Sequence, residues 1–183
     1  MKKILQNLSC IELENLILSL GEQKFRTKQL YLGLMQGKKI SEINISSSLR
    51  EKLLSEYEDE PVKISEVFTS SDGTKKFLFE LADGNIIEGV LMGYKYGNTQ
   101  CVSTQVGCRM GCKFCASTLG GLVRNLSSGE ILCQILKVNA FAGGTVEKRA
   151  VTNLVLMGSG EPLDNYDEVI SLSSNARICR VAS

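Results

Sequence analysis

From Cys101 onward, apolar runs of strand length alternate with helix-length segments, and the two most distinctive loops each follow a strand directly. Gln100–Val106 reads as a short strand leading into a loop rich in cysteine and glycine. Ser127-Ser128-Gly129-Glu130 caps a helix running to about Phe141, and Ala142-Gly143-Gly144 ends it. Val151–Met157 suits a buried parallel strand, with Gly158-Ser159-Gly160-Glu161-Pro162 as the loop beyond it and Asp164 or Asn165 as a cap for one more short helix. Such alternation implies a parallel sheet or barrel, with chemistry at the carboxyl ends of its strands. Two units of this kind do not close a barrel, so the sequence reads as a fragment of one or as a chain completed by another.

The first third has a different period. Ser9-Cys10-Ile11-Glu12 is a capping box opening a helix that runs to Gly21, with Leu13, Leu16, Ile17 and Leu20 on its apolar face. A second helix is expected over about 25–36 and a third from near Ser48, with Glu51 as its capping partner. Pro61 closes this section. Val62–Thr69, Lys76–Leu81 and Asn85–Met92 then read as strands joined at Asp72-Gly73 and Asp83-Gly84, a hairpin signal. The fold class expected is α/β: a helical accessory domain over 1–61, an antiparallel β meander over 62–98, and the N-terminal part of a (β/α) barrel over 99–183.

Within the first loop, Cys108, Cys112 and Cys115 have the spacing C-x-x-x-C-x-x-C. Structural zinc takes four Cys or His ligands, but the chain has no histidine, and Cys10, Cys101, Cys133 and Cys179 form no second C-x-x-C pair. A [4Fe–4S] cluster held by three thiolates leaves one iron open to a small molecule, such as the amino and carboxylate groups of S-adenosylmethionine. In the second loop, glycines let backbone carbonyls approach an ammonium group, and Glu161 adds an anionic acceptor. Seven cysteines without a secretory leader suit metal ligation in a reducing, cytoplasmic compartment. No run approaches the ~18–20 apolar residues of a membrane span. The net charge of +1 advertises no polyanion partner, although residues 1–52 and 101–150 are weakly basic.

The chain resembles the radical SAM ribosomal RNA methyltransferases of the RlmN type. The likeness rests on Thr99–Cys108, the cysteine triplet, Arg124-Asn125-Leu126 and Asn153–Leu163, with support from Phe25–Leu30 and Asp83–Glu88, and covers about residues 1–168. It implies methylation of adenine C2 in 23S rRNA and in certain tRNAs by a monomer that uses a [4Fe–4S] cluster and two molecules of S-adenosylmethionine. One supplies a methyl group to a cysteine near the family's C-terminus, and the other supplies radical chemistry. The electron would come from a flavodoxin- or ferredoxin-type donor. By the same resemblance Cys108, Cys112 and Cys115 hold the cluster, and Gly160 and Glu161 contact the cofactor. Glu88 accepts the ring proton, and Cys101 releases product by forming a disulfide. Phe114 is expected beside the cluster or adenine, or else in the core; Cys10, Cys133 and Cys179 are expected to be structural.

Two departures stand out. Ser159 replaces the family's usual Met, and the methyl-carrying cysteine has no counterpart before Ser183, so the chain alone is expected not to complete methyl transfer. The competing readings are a sister enzyme acting on adenine C8, which Pro162 argues against, and a zinc-stabilised RNA-binding module without catalysis.

Overall fold

The computed structural model of the chain describes residues 2–175; Cys179 and most of the Ser173–Ser183 end lie outside the described residues. The N-terminal section packs three helices, α1 (Cys10–Ser19), α2 (Phe25–Met35) and α3 (Ser47–Glu56). The capping box at α1 forms, Ser9 accepting from the Glu12 amide while the Glu12 carboxylate accepts from Ser9. Gly21 takes φ +78° at the other end, and the Glu22 amide reaches back to Ile17 O, a Schellman-type stop. The third helix starts earlier than expected. Ser46 rather than Ser48 caps it, accepting from the Leu49 amide, so Glu51 lies two residues too late to complete a capping box. Leu13, Ile17, Leu30, Leu34, Leu49 and Leu53 form the buried core of this section.

Next come β1 (Val62–Thr69), β2 (Lys75–Leu81), β3 (Ile86–Tyr94) and β4 (Gly97–Cys101), each antiparallel to its predecessor. The glycines of both Asp-Gly turns have positive φ, as the turns require. After β5 (Gln105–Gly107) and β6 (Leu122–Asn125) comes α4 (Ser128–Phe141), then β7 (Val151–Val155) and α5 (Tyr166–Asn175). Strand β7 lies parallel to β4, so meander and crossover unit share one sheet ordered β1-β2-β3-β4-β7. Strands β5 and β6 form a separate pair.

The single strand expected over Gln100–Val106 is therefore two. Val102–Thr104 leave the β3 ladder and bond instead to Val155 and the loop after β7, while Gln105–Gly107 turns away to pair with β6. Strand β7 is also shorter than Val151–Met157 and only partly buried, since among the described residues it pairs on one side alone. Asn165 directly precedes α5, in the position expected of its cap. Glu161 caps a short 3₁₀ turn at Pro162–Asn165, and the buried Asn165 amide donates to Thr104 O and Leu126 O.

One face of the sheet packs on α4. Phe77, Phe79, Ile87, Leu91 and Gln100 share that face by register, and the four apolar side chains join Ile131, Leu132 and Val138 in the larger core. Phe79 is fully buried and stacks on Phe77, which meets Phe141 edge-on. F79A should cost about 3–5 kcal/mol in chemical denaturation, from lost burial plus the cavity left behind.

Arg124, on β6, ties the α4 cap to the β2–β3 turn. Its guanidinium pairs with both oxygens of Glu130, at 2.9 and 2.8 Å, and with Asp83 at 2.6 Å. Burial works against the Asp83 carboxylate, but hydrogen bonds from Arg124 and Asn85 overcome it and hold the pKa at about 2. Because the folded pKa lies below the unfolded one, this stabilisation is present above about pH 4 and is lost as pH falls towards 2. D83N should flatten that stretch of a stability-versus-pH curve and, because the turn is exposed and the pair screened by solvent, cost no more than about 1 kcal/mol at neutral pH.

Candidate active site

The sheet face away from α4 carries the two residues expected to handle protons and disulfide exchange. Cys101, the last residue of β4, stands opposite Val90, and Glu88 is two residues from Val90 on β3. Period-two alternation puts Glu88, Val90 and Cys101 on one face, opposite to Phe79 and Gln100. The Glu88 side chain is about half exposed and pairs with Lys76 at 2.6 Å. Cys101 is half-buried; burial pushes its thiol pKa up, and a Met157 backbone hydrogen bond partly opposes that.

At the carboxyl end of β4 and β7 the two distinctive loops meet. Gly158 N donates to Val102 O, Thr104 N and Gln105 N donate to Ser159 O, and Glu161 N donates to the Gln105 side chain. Gly160 has φ +103°, and a Cβ there would lie 2.6 Å from that of Gln105, so only glycine fits. The cysteine loop, between β5 and β6, is stitched on by side chains. Arg109 makes a two-point ion pair with Asp164 at 2.8 and 2.5 Å, and Ser117 Oγ lies 3.2 Å from Ser159 Oγ. Gln105 also donates to Asp164 and to Asn125. Paired with Arg109 and hydrogen-bonded by Gln105, the Asp164 carboxyl stays below its ordinary pKa.

Cys108 is buried at the end of β5, Cys115 is half-buried and Cys112 is exposed; all three are free thiols. Among the described residues no three Cys, His, Asp or Glu side chains stand close enough to share a metal ion. The donor set nonetheless suits a soft metal centre: three thiols on one short loop, in a chain without histidine. Gly111, at φ +70° with open space around it, lies between the fixed Cys108 and the exposed Cys112. Glu161 uses one carboxylate oxygen to accept from Leu163 N, which shapes the loop containing Gly160.

Phe114 is 94% exposed, so it does not fill the core. Cys133 lies in the core between α4 and the sheet, its thiol pushed up by burial to about 12, consistent with an inert packing role. Arg109, Asp164 and Gln105, which tie these loops together, escaped sequence reasoning because the bonds that join the loops span more than forty residues. Among the described residues no helix is long and apolar enough to cross a membrane.

This architecture is that of a radical SAM methyltransferase over the part the chain spans. A crystal structure of a radical SAM methyltransferase from Sphaerobacter thermophilus superposes with a TM-score of 0.85 and 34% identity, covering 94% of this chain and 51% of that one. By sequence the chain is a relative of proteins named "Probable dual-specificity RNA methyltransferase RlmN". It is 52% identical to that of Alkaliphilus metalliredigens over 169 residues, 91% of this chain and 47% of the relative. It is 51% identical to that of Clostridium novyi, over 93% of this chain and 49% of the relative. For Staphylococcus aureus the identity is 47%, over 92% and 47%. The chain thus spans about half the length of the curated relatives it matches. No family model matches it.

Proposed function

We propose that this chain is the cluster- and cofactor-binding part of an adenine C2 RNA methyltransferase acting on 23S rRNA and tRNA. The observation that supports this best is the meeting of the cysteine loop and the Gly158–Pro162 loop, stitched by Arg109–Asp164, beside the sheet face that bears Glu88 and Cys101. Cys108, Cys112 and Cys115 would hold a [4Fe–4S] cluster, which when bound supplies the reductive opening of S-adenosylmethionine and hence carbon-radical chemistry. Such chemistry is needed because adenine C2 is not nucleophilic and does not attack a methyl sulfonium directly.

The chain's own residues have separate tasks. Gly160 lets backbone approach the cofactor closely, and Gln105 fixes the carbonyl and amide groups on either side of it. Glu88 takes the proton left on C2 once the new carbon is attached, after its carboxylate parts from Lys76. Cys101, as thiolate, attacks the sulfur that carries the new carbon: the S–S bond forms as the sulfur–carbon bond breaks, and the carbon leaves with the bonding pair and takes up a proton to become the methyl group. The electron comes from a flavodoxin- or ferredoxin-type donor, and the protein works as a cytoplasmic monomer.

The test joins this chain in frame to the second half of the Alkaliphilus metalliredigens relative, in a strain lacking adenine C2 methylation. Mass spectrometry of the 23S rRNA should show 2-methyladenosine, lost in the E88Q and C101A forms. Finding 8-methyladenosine instead would favour the sister chemistry, and no methylated adenine would remove the proposal.

A further inference from the structure

Ser103 is fully buried, and all four of its polar functions are engaged by three different elements. Its hydroxyl donates to Glu88 O on β3 at 2.7 Å and accepts from Ser159 N, in the loop after β7, at 2.9 Å. Its amide donates to Gln134 Oε1 on α4 at 3.0 Å, and its carbonyl accepts from Gln134 Nε2 at 3.1 Å. Gln134, itself fully buried, is steadied in turn by Gln100, whose side chain donates to the Gln134 carbonyl. Gly158 lies directly against Ser103: a Cβ on it would come within 2.8 Å of the Ser103 hydroxyl and amide.

One hydroxyl thus spans the strand that carries Glu88 and the loop that carries Gly160 and Glu161. No other side chain hydrogen bond given by the described residues joins those two segments. We propose that Ser103, clamped by Gln134, is a positioning residue: it holds the cofactor loop at a fixed height relative to the Glu88 strand. This rests on the function proposed above, since it gives that loop and that carboxylate a common task. Ser103 acts through Ser159 and Glu88 and touches neither cofactor nor substrate.

The test compares wild type, S103A and S103T by two readouts. In the unloaded chain, amide exchange at Ser159 should speed up at least about tenfold in S103A while the Ile131 amide in α4 keeps its protection. That is the loss expected when a buried donor is left without its acceptor. In the chain reconstituted with iron and sulfide, S-adenosylmethionine should bind about tenfold more weakly to S103A in equilibrium dialysis. S103T, which keeps the hydroxyl, should restore both. If S103A does not fold, Q134M is read in the same assays, with smaller shifts in the same direction. Unchanged Ser159 exchange overturns the proposal, as does cofactor affinity within twofold of wild type despite faster exchange. Wild-type chain that binds no cofactor would instead overturn the function proposed above, and this role with it.

Discussion

C112S is expected to reduce bound iron and sulfide from roughly four of each per chain to background after anaerobic reconstitution. A serine hydroxyl stays protonated at neutral pH and is a hard donor, whereas cluster iron requires a soft thiolate. With only three thiolates in the loop and no histidine in the chain, the loop itself holds no fourth soft donor to take over. The position makes the experiment clean. Cys112 is exposed, so the substitution should change stability by no more than about 0.5 kcal/mol. C133S supplies the opposite control. Cys133 is buried in the core, away from the loop, so its replacement by a hydroxyl should lower stability while leaving the iron content intact. Iron retained by C112S, or lost equally from C133S, would place the cluster elsewhere.

G160A should weaken S-adenosylmethionine binding about hundredfold without unfolding the chain. At φ +103° a side chain is strained wherever it points, at a cost of roughly 1–3 kcal/mol. The added methyl would also fall 2.6 Å from the Gln105 Cβ and 2.8 Å from its backbone nitrogen, neither of which is the far end of a flexible side chain. The loop must therefore move, and the Glu161 N–Gln105 bond with it. Because the Gly158–Pro162 segment lies at the rim of the sheet rather than in its core, the strain should appear as lost affinity more than as lost stability. Equilibrium dialysis beside a thermal melt separates the two; equal binding by wild type and G160A would show that the loop does not contact the cofactor.

What could be read from the sequence was what is held by local hydrogen bonds. The capping boxes at Ser9–Glu12 and Ser127–Glu130 each close over three residues, and the Asp-Gly turns need only a glycine of positive φ, so composition alone reveals them. The two loops were visible for the same reason, as glycine and cysteine clusters directly after apolar runs. Their contact was not, because Arg109 and Asp164 are fifty-five residues apart and are brought together by the parallel pairing of β4 and β7. The split of Gln100–Val106 was hidden likewise: Val102–Thr104 look like strand residues, and it is the partner segment at 155–159 that turns them out of the meander. Strand β6 has only four residues and no flanking signal beyond Gly120-Gly121. The common face of Glu88 and Cys101 depends on register, which a thirteen-residue separation across a hairpin does not disclose.

The proposed chemistry requires an iron of the cluster to be open to the cofactor. Electron paramagnetic resonance of the reconstituted, dithionite-reduced chain, recorded with and without S-adenosylmethionine, tests this most directly. The prediction is a reduced-cluster signal that changes shape when the cofactor is added, because the open iron acquires its amino and carboxylate ligands. A signal indifferent to the cofactor, or a colourless chain carrying one zinc, would contradict it.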